Sequence, residues 1–222
     1  MRTALLLSAL AAAAATGQEP AAAPKADAAV PGPFRCYVVV DNRYEPKAKP
    51  PQKPEDRDPR DRTDKMHSFV VEQGLNPVLA VLTRAAPAED GVAGRLTKEL
   101  AALYADKTLR GSSLGAFVVF LALEKEFPAD MQRTADGGFV RDEKAKAVRD
   151  LAASANAPRV PFGLAARTSD QTASWGLKDE DETVVVLYNR LKVTGRWAFP
   201  AGGVDDAKLK EILVAVRAEA KK

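Results

Sequence analysis

The chain has 222 residues, 33 Lys+Arg against 30 Asp+Glu, one His and one Cys. That length fits one domain of ordinary size plus tails, with a core large enough to need no staples. One Cys excludes an intramolecular disulfide and a CxxC pair, one His excludes a His-rich metal cluster, and a formal charge of +3 gives no nucleic-acid footprint.

Met1-Arg2-Thr3 is a short positive start, and Ala4 to Ala15 is an apolar run of twelve residues followed by Thr16-Gly17-Gln18. This is the plan of a secretory signal peptide over 1–17, with cleavage near Gly17. The run is too short to span a bilayer, which takes ~20 apolar residues, and no later stretch is long enough either. The expectation is an exported protein, periplasmic or extracellular, with no membrane span. Residues 18–33 hold Ala, Pro, Gly and a few polar side chains, which reads as a linker.

Residues 34–66 read as a first strand followed by a charged insertion. Pro33 to Asp41, PFRCYVVVD, is rich in β-branched and aromatic residues. From Asp41 to Lys65 come five Pro, eight Lys/Arg and seven Asp/Glu. Balanced charge of both signs gives no directed field, so the expectation is a solvated insertion. The domain body is expected over 67–222. Met66 to Gln73 is a short helix candidate ending at Gly74. PVLAVLTR (77–84) is a nearly continuous apolar run, as in a strand covered on both faces. A helix follows with Val92, Leu96, Leu100, Leu103 and Tyr104 on one side. AFVVFLAL (116–123) is a second buried strand, Asp142 to Asn156 a helix, and VPFGLA (160–165) a third strand. Ser169 to Gly176 is a short helix. TVVVLY (183–188) and the alternating Val193 to Phe199 form an antiparallel pair, with Val193, Gly195, Trp197 and Phe199 on one face. Asp205 caps a last helix whose core face is Leu209, Ile212, Leu213 and Val216. From Pro77 the order is β-α-β-α-β-α-β-β-α. This is an α/β class with a central mixed β-sheet flanked by helices, and an extra N-terminal strand at its edge.

The stretch WGLKDEDETVVVLYNRLKVTGRWAF, followed by GGVDDAKLKEILVAV, resembles the short helix, β-hairpin and closing helix of the thioredoxin-like fold. The extra strand and helix at 116–156 resemble the insertion of exported thiol–disulfide oxidoreductases and of the alkyl hydroperoxide reductase branch. The resemblance covers about 75–220 and implies a redox-active turn after the strand 78–82. The CxxC position falls on Ala86-Pro87-Ala88-Glu89, and no register places a Cys there. A peroxidatic Cys is missing from the same turn. The family's cis-Pro falls at Glu182 before Thr183, in the acidic run 178–182. Disulfide exchange needs an attacking thiolate, so the expectation is a redox-inactive, non-catalytic binding or structural module that meets an envelope or secreted protein. No catalytic, cofactor-binding or metal-binding residue and no cofactor is assigned. The alternative is a thiol-dependent protein acting through Cys36 with a partner chain. Free Cys behaves as a small hydrophobe, which favours a buried Cys36. A third possibility is chemistry by carboxylates such as Glu89 or Glu182, although nothing in the sequence pairs them.

The other constellations are weaker. His67 reads as a surface residue, since Glu72 lies five residues on and off its helical face. Asp130, Asp136, Asp142 and Glu143 around Gly137-Gly138 lack the order of a calcium loop, and a glycine turn is expected there. Gly111-Ser112-Ser113-Leu114-Gly115 is no G-x-S-x-G, and no P-loop is present. Glu180, Asp181 and Glu182 read as a solvated turn. Trp175, Trp197 and Phe199 read as core.

Overall fold

A computed structural model of the chain describes residues 27–43, 58–106, 112–124 and 135–221, with the helix at 135–140 described by its backbone. The expected signal peptide, the start of the linker at 18–26 and the centre of the charged insertion at 44–57 lie outside the described residues. One seven-stranded mixed sheet organises the molecule, in the order β2-β1-β5-β4-β3-β6-β7. The strands are β1 (Arg35–Val40), β2 (Met66–Ser68), β3 (Val78–Thr83), β4 (Gly115–Leu123), β5 (Phe162–Ala166), β6 (Asp181–Asn189) and β7 (Lys192–Pro200). The helices are α1 (Phe69–Gln73), α2 (Val92–Ala105), α3 (Ala135–Ala155), α4 (Asp170–Ser174) and α5 (Asp206–Ala220).

β3, β4 and β5 are parallel neighbours, and all six residues of β3 are buried. That is why VLAVLT shows no alternation: a strand covered on both faces carries no polar side. The β-α-β-α-β-α-β-β-α order from β3 onward is as expected. Each face of the sheet has its own apolar cluster. One gathers Leu79, Val81, Val118 and Phe120 beneath Leu96 and Leu100 of α2, Val148 of α3 and Ile212 and Val216 of α5. The other gathers Ala80, Leu82, Val119 and Val186 beneath Phe69 of α1 and Trp175. The α5 face is the expected one, and Asp205 caps the helix by accepting from the N–H groups of Ala207 and Lys208. A cap of this kind stabilises by about 1 kcal/mol.

Several expectations need correcting. Met66–Ser68 is a strand and not the first turn of a helix. It pairs antiparallel with β1, Cys36 opposite His67. β1 is therefore not an edge strand, because it lies between β2 and β5. The division between 66 and 67 cuts through elements that one sheet joins. The linker reading ends too late. Asp27 and Val30 donate to the carbonyls of Val193 and Leu191, Val193 donates back to Ala28, and Ala29 bridges Lys192. Helix α3 begins at Ala135 and runs through Gly137-Gly138, so the glycine pair is helical and not a turn; Asp130 lies outside the described residues. Finally, β7 does not keep one face. Its register with β6 slips between Leu187 and Tyr188, where Val193 pairs with Tyr188 and Gly195 with Leu187. The extra residue, Thr194, flips the alternation. Val193 joins the Trp175 cluster, whereas Trp197 and Phe199 pack on the opposite side.

Candidate functional site

In an open α/β sheet, loops at the carboxyl ends of the parallel strands are where ligands bind. Here that place is the turn from Arg84 to Gly91, between β3 and α2. Its base is a buried pair. Thr83 and Thr183 stand opposite each other on β3 and β6, and their hydroxyls are 2.7 Å apart. Thr83 Oγ1 also accepts from the Ala85 N–H at 3.1 Å. Arg84 then closes the gap between the turn and the loop entering β6. Its backbone N–H donates to Glu182 O at 2.7 Å. Its Nη1 donates to Asp181 O at 2.9 Å and Lys178 O at 2.5 Å, and its Nε to Arg167 O at 3.4 Å.

Arg196 supports the same loop from β7. Its Nη2 donates to Gly176 O at 2.5 Å and reaches Asp181 Oδ2 at 3.4 Å. Asp181 also accepts from Lys178 N at 3.2 Å. Asp181 is accordingly buried at 8 % exposure, which corrects the reading of 180–182 as a uniformly solvated turn. The turn itself folds back on α2. Gly94 is required there, because a Cβ at that position would sit 2.2 Å from Ala88 O. Ala86, Ala88 and Glu89 are exposed and Pro87 is half-buried. Glu89 bonds Lys98 Nζ at 2.6 Å, and that bond holds its carboxyl below the ordinary range. Glu182 is engaged elsewhere and accepts from Gly202 N at 3.2 Å. Each carboxylate thus has a partner of its own. No cis peptide bond occurs among the described residues.

No protein-family model matches the sequence, and no curated protein does. Solved structures do. An uncharacterized conserved protein from Geobacillus kaustophilus superposes with a TM-score of 0.52 at 11% identity, over 89% of this chain and 82% of its own. AhpC of Mycobacterium tuberculosis gives 0.51 at 11% identity, over 88% and 93%, and AhpC of Mycobacterium bovis gives 0.50. The fold is thioredoxin-like. At this identity the likeness concerns the path of the backbone alone.

Within the thioredoxin-like fold, the turn after β3 holds Thr83, Arg84, Ala86, Pro87, Ala88 and Glu89 and no thiol. The one cysteine lies elsewhere. Cys36 is in β1, three strands from β3, a lateral separation of about 14 Å at ~4.8 Å per strand. Its side chain is fully buried, and burial pushes the thiol up to about 12. That environment disfavours the thiolate, the form of cysteine that attacks. Its neighbour on β5 is Gly163, where a Cβ would come within 2.5 Å of Cys36 Sγ. The aromatic expectation holds for Trp175 and Phe199, both buried. Trp197 is half-buried, and its Nε1 donates to Glu211 at 2.8 Å.

A second cluster was not legible in the sequence. Asp41, its side chain fully buried, takes both Nε and Nη2 of Arg43 at 2.7 and 2.6 Å and the backbone N–H of Arg62 at 3.0 Å. Arg43 also pairs with Glu72 and lies over the Phe69 ring at 5.3 Å. Glu72 bonds Arg62 Nε at 3.0 Å, and His67 Nε2 lies 2.8 Å from the same carboxylate oxygen. His67 therefore does meet Glu72. The strand–helix junction at Ser68 brings together residues that a continuous helix would separate. Around the cluster, Asp64 N bonds Val38 O and Val38 N bonds Lys65 O, while Tyr37 Oη donates to Asp64. Residues 62–65 of the charged stretch are thus tied to β1 and its end, against the expectation of a wholly solvated insertion. The signal available in the sequence was the concentration of both signs beside a strand. Its partners could not be read, because Glu72 is separated from Asp41 by the whole insertion.

Proposed function

We propose that this protein is an exported, non-catalytic binding or structural module on a thioredoxin-like fold. One observation carries the reading: the turn where the fold's thiol chemistry would sit reads Thr-Arg-Ala-Ala-Pro-Ala-Glu-Asp, while the single cysteine is buried in β1. Two features support it further. The guanidinium of Arg84 is committed to backbone carbonyls on the facing loop, so it acts as a tie within the turn and not as a group awaiting substrate. Glu89 and Glu182 are each bonded locally, so these two carboxylates are not paired with each other for acid–base work.

Export rests on the positive start, the short apolar run and the small residues before Gln18. No helix among the described residues is long and apolar enough to cross a membrane. The purified protein is expected to reduce insulin disulfides and hydrogen peroxide no faster than buffer with dithiothreitol. A rate above that background, lost in Cys36→Ser, would overturn the reading in favour of Cys36 chemistry. Mass measurement of the protein recovered from the envelope fraction tests export, with a mature chain starting near Gln18 as the expected result. A full-length mass from the cytosol alone would remove the exported half of the proposal.

A further inference from the structure

The cluster around Glu72 contains the chain's only histidine, and its charges already balance without it. Arg43 and Arg62 bring two positive charges, Asp41 and Glu72 two negative ones. Among the described residues, the groups facing His67 are Arg62 from the segment before β2, Asp41 and Arg43 from the end of β1, Glu72 from α1, and the neutral Cys36 opposite it on β1. Both oxygens of Glu72 face guanidiniums: Oε1 accepts from Arg62 Nε, and Oε2 is in an ion pair with Arg43. The imidazole Nε2 is buried, and it meets Oε1 without the alignment of a hydrogen bond. A proton on His67, a side chain 24% exposed whose Nε2 is itself buried, would add a third cation to a carboxylate that two arginines already share.

The geometry points to His67 as a proton-operated release for the segment 62–65: neutral, it lets the Asp41–Arg43–Glu72–Arg62 clip close over β1, and protonated, it loosens the clip and frees that charged segment from the sheet. Burial first, then the two arginines, hold the imidazole below its ordinary value of 6.5 in the closed state. The sign follows from this. A group whose closed-state affinity for protons is reduced makes opening take up a proton. The clip is at full strength above pH ~6.5 and weakens as pH falls, by up to about tenfold in the opening equilibrium per pH unit, until the closed state also protonates.

Because the histidine is single, its ring-proton NMR titration in the intact protein is free of overlap. The expected midpoint is below 6.5, and it should rise in Arg62→Gln, which removes one of the facing cations. Amide exchange at Arg62 and Asp64, corrected for intrinsic rates, should accelerate between pH 7 and pH 5 in the native protein and stay flat in His67→Gln, which mimics the neutral ring. A midpoint at or above 6.5 overturns the proposal, and so does the same acceleration in His67→Gln. Should His67→Gln fail to fold, the native midpoint and its displacement in Arg62→Gln decide the matter.

Discussion

Gly163 shows what a single hydrogen atom can decide. A methyl group there would meet Cys36 Sγ at 2.5 Å and the Tyr37 carbonyl at 3.2 Å. Gly163→Ala is therefore expected to destabilise by about 1–3 kcal/mol, the usual cost of overpacking a filled core. Cys36→Ala should recover part of that loss by removing the sulfur. Urea unfolding of the two single variants and the double variant measures the coupling, and strict additivity would show that the two side chains do not meet. Neither the contact nor the reason for the glycine is visible in the sequence, since 127 positions separate residues whose strands pair only in the fold. The missing thiol at 86–89 was legible, because an absence of residue type needs no geometry. The part played by Arg84 was not, because its acceptors are backbone carbonyls on another element.

At the level of elements, strands covered on both faces and amphipathic helices announced themselves by pattern, and β3 through α5 follow the expected order. The failures share a cause. β2 has three residues, too few for an alternation to register, and its partner lies about thirty residues upstream. The bulge at Thr194 inserts one residue into an otherwise regular strand, so the faces of β7 exchange midway. Gly137-Gly138 reads as a breaker by propensity, yet it lies within α3. The β6–β7 hairpin turns on Arg190 and Leu191, with φ of 51° and 60°, the left-handed conformation that two-residue hairpins want and that favours Asn and Gly. Replacing Arg190 by Asn and Leu191 by Gly together is expected to relieve about 1–2 kcal/mol of backbone strain. For a chain of this size that raises Tm by roughly 3–6 °C. Differential scanning calorimetry checks it, and an unchanged or lower Tm would mean that the Leu191 side chain contributes more than its backbone costs.

At the scale of the whole molecule, the sheet has no natural break between its N-terminal hairpin and the rest. β1 supplies Tyr37 and Val39 to one face and Cys36 and Val38 to the other, with Phe34 just before it. Five such side chains at ~1.5–3 kcal/mol each amount to about 8–15 kcal/mol of burial, comparable to the entire stability of a typical domain. A fragment comprising 67–222 is accordingly expected not to fold, whereas 27–222 should. Far-ultraviolet circular dichroism and a cooperative melt distinguish them, and a native-like transition in the shorter fragment would contradict the account. The composition alone could not show this. It marked the charged stretch as a solvated insertion, and pairing with β1 turns the end of that stretch into part of the sheet's rim.

Arg84 has a consequence for recognition. Its side chain fastens the loop before β6 and the end of β5 to the turn after β3, with a further cation, Arg196, gripping the same loop from β7. Four separate pieces of chain are thereby locked in one arrangement before anything arrives. A molecule docking at this end of the sheet would find its complement preformed, and little of the association energy would go into ordering loops. Recognition there would be of the rigid, shape-matching kind, with dissociation rather than folding-upon-binding setting the lifetime of the complex.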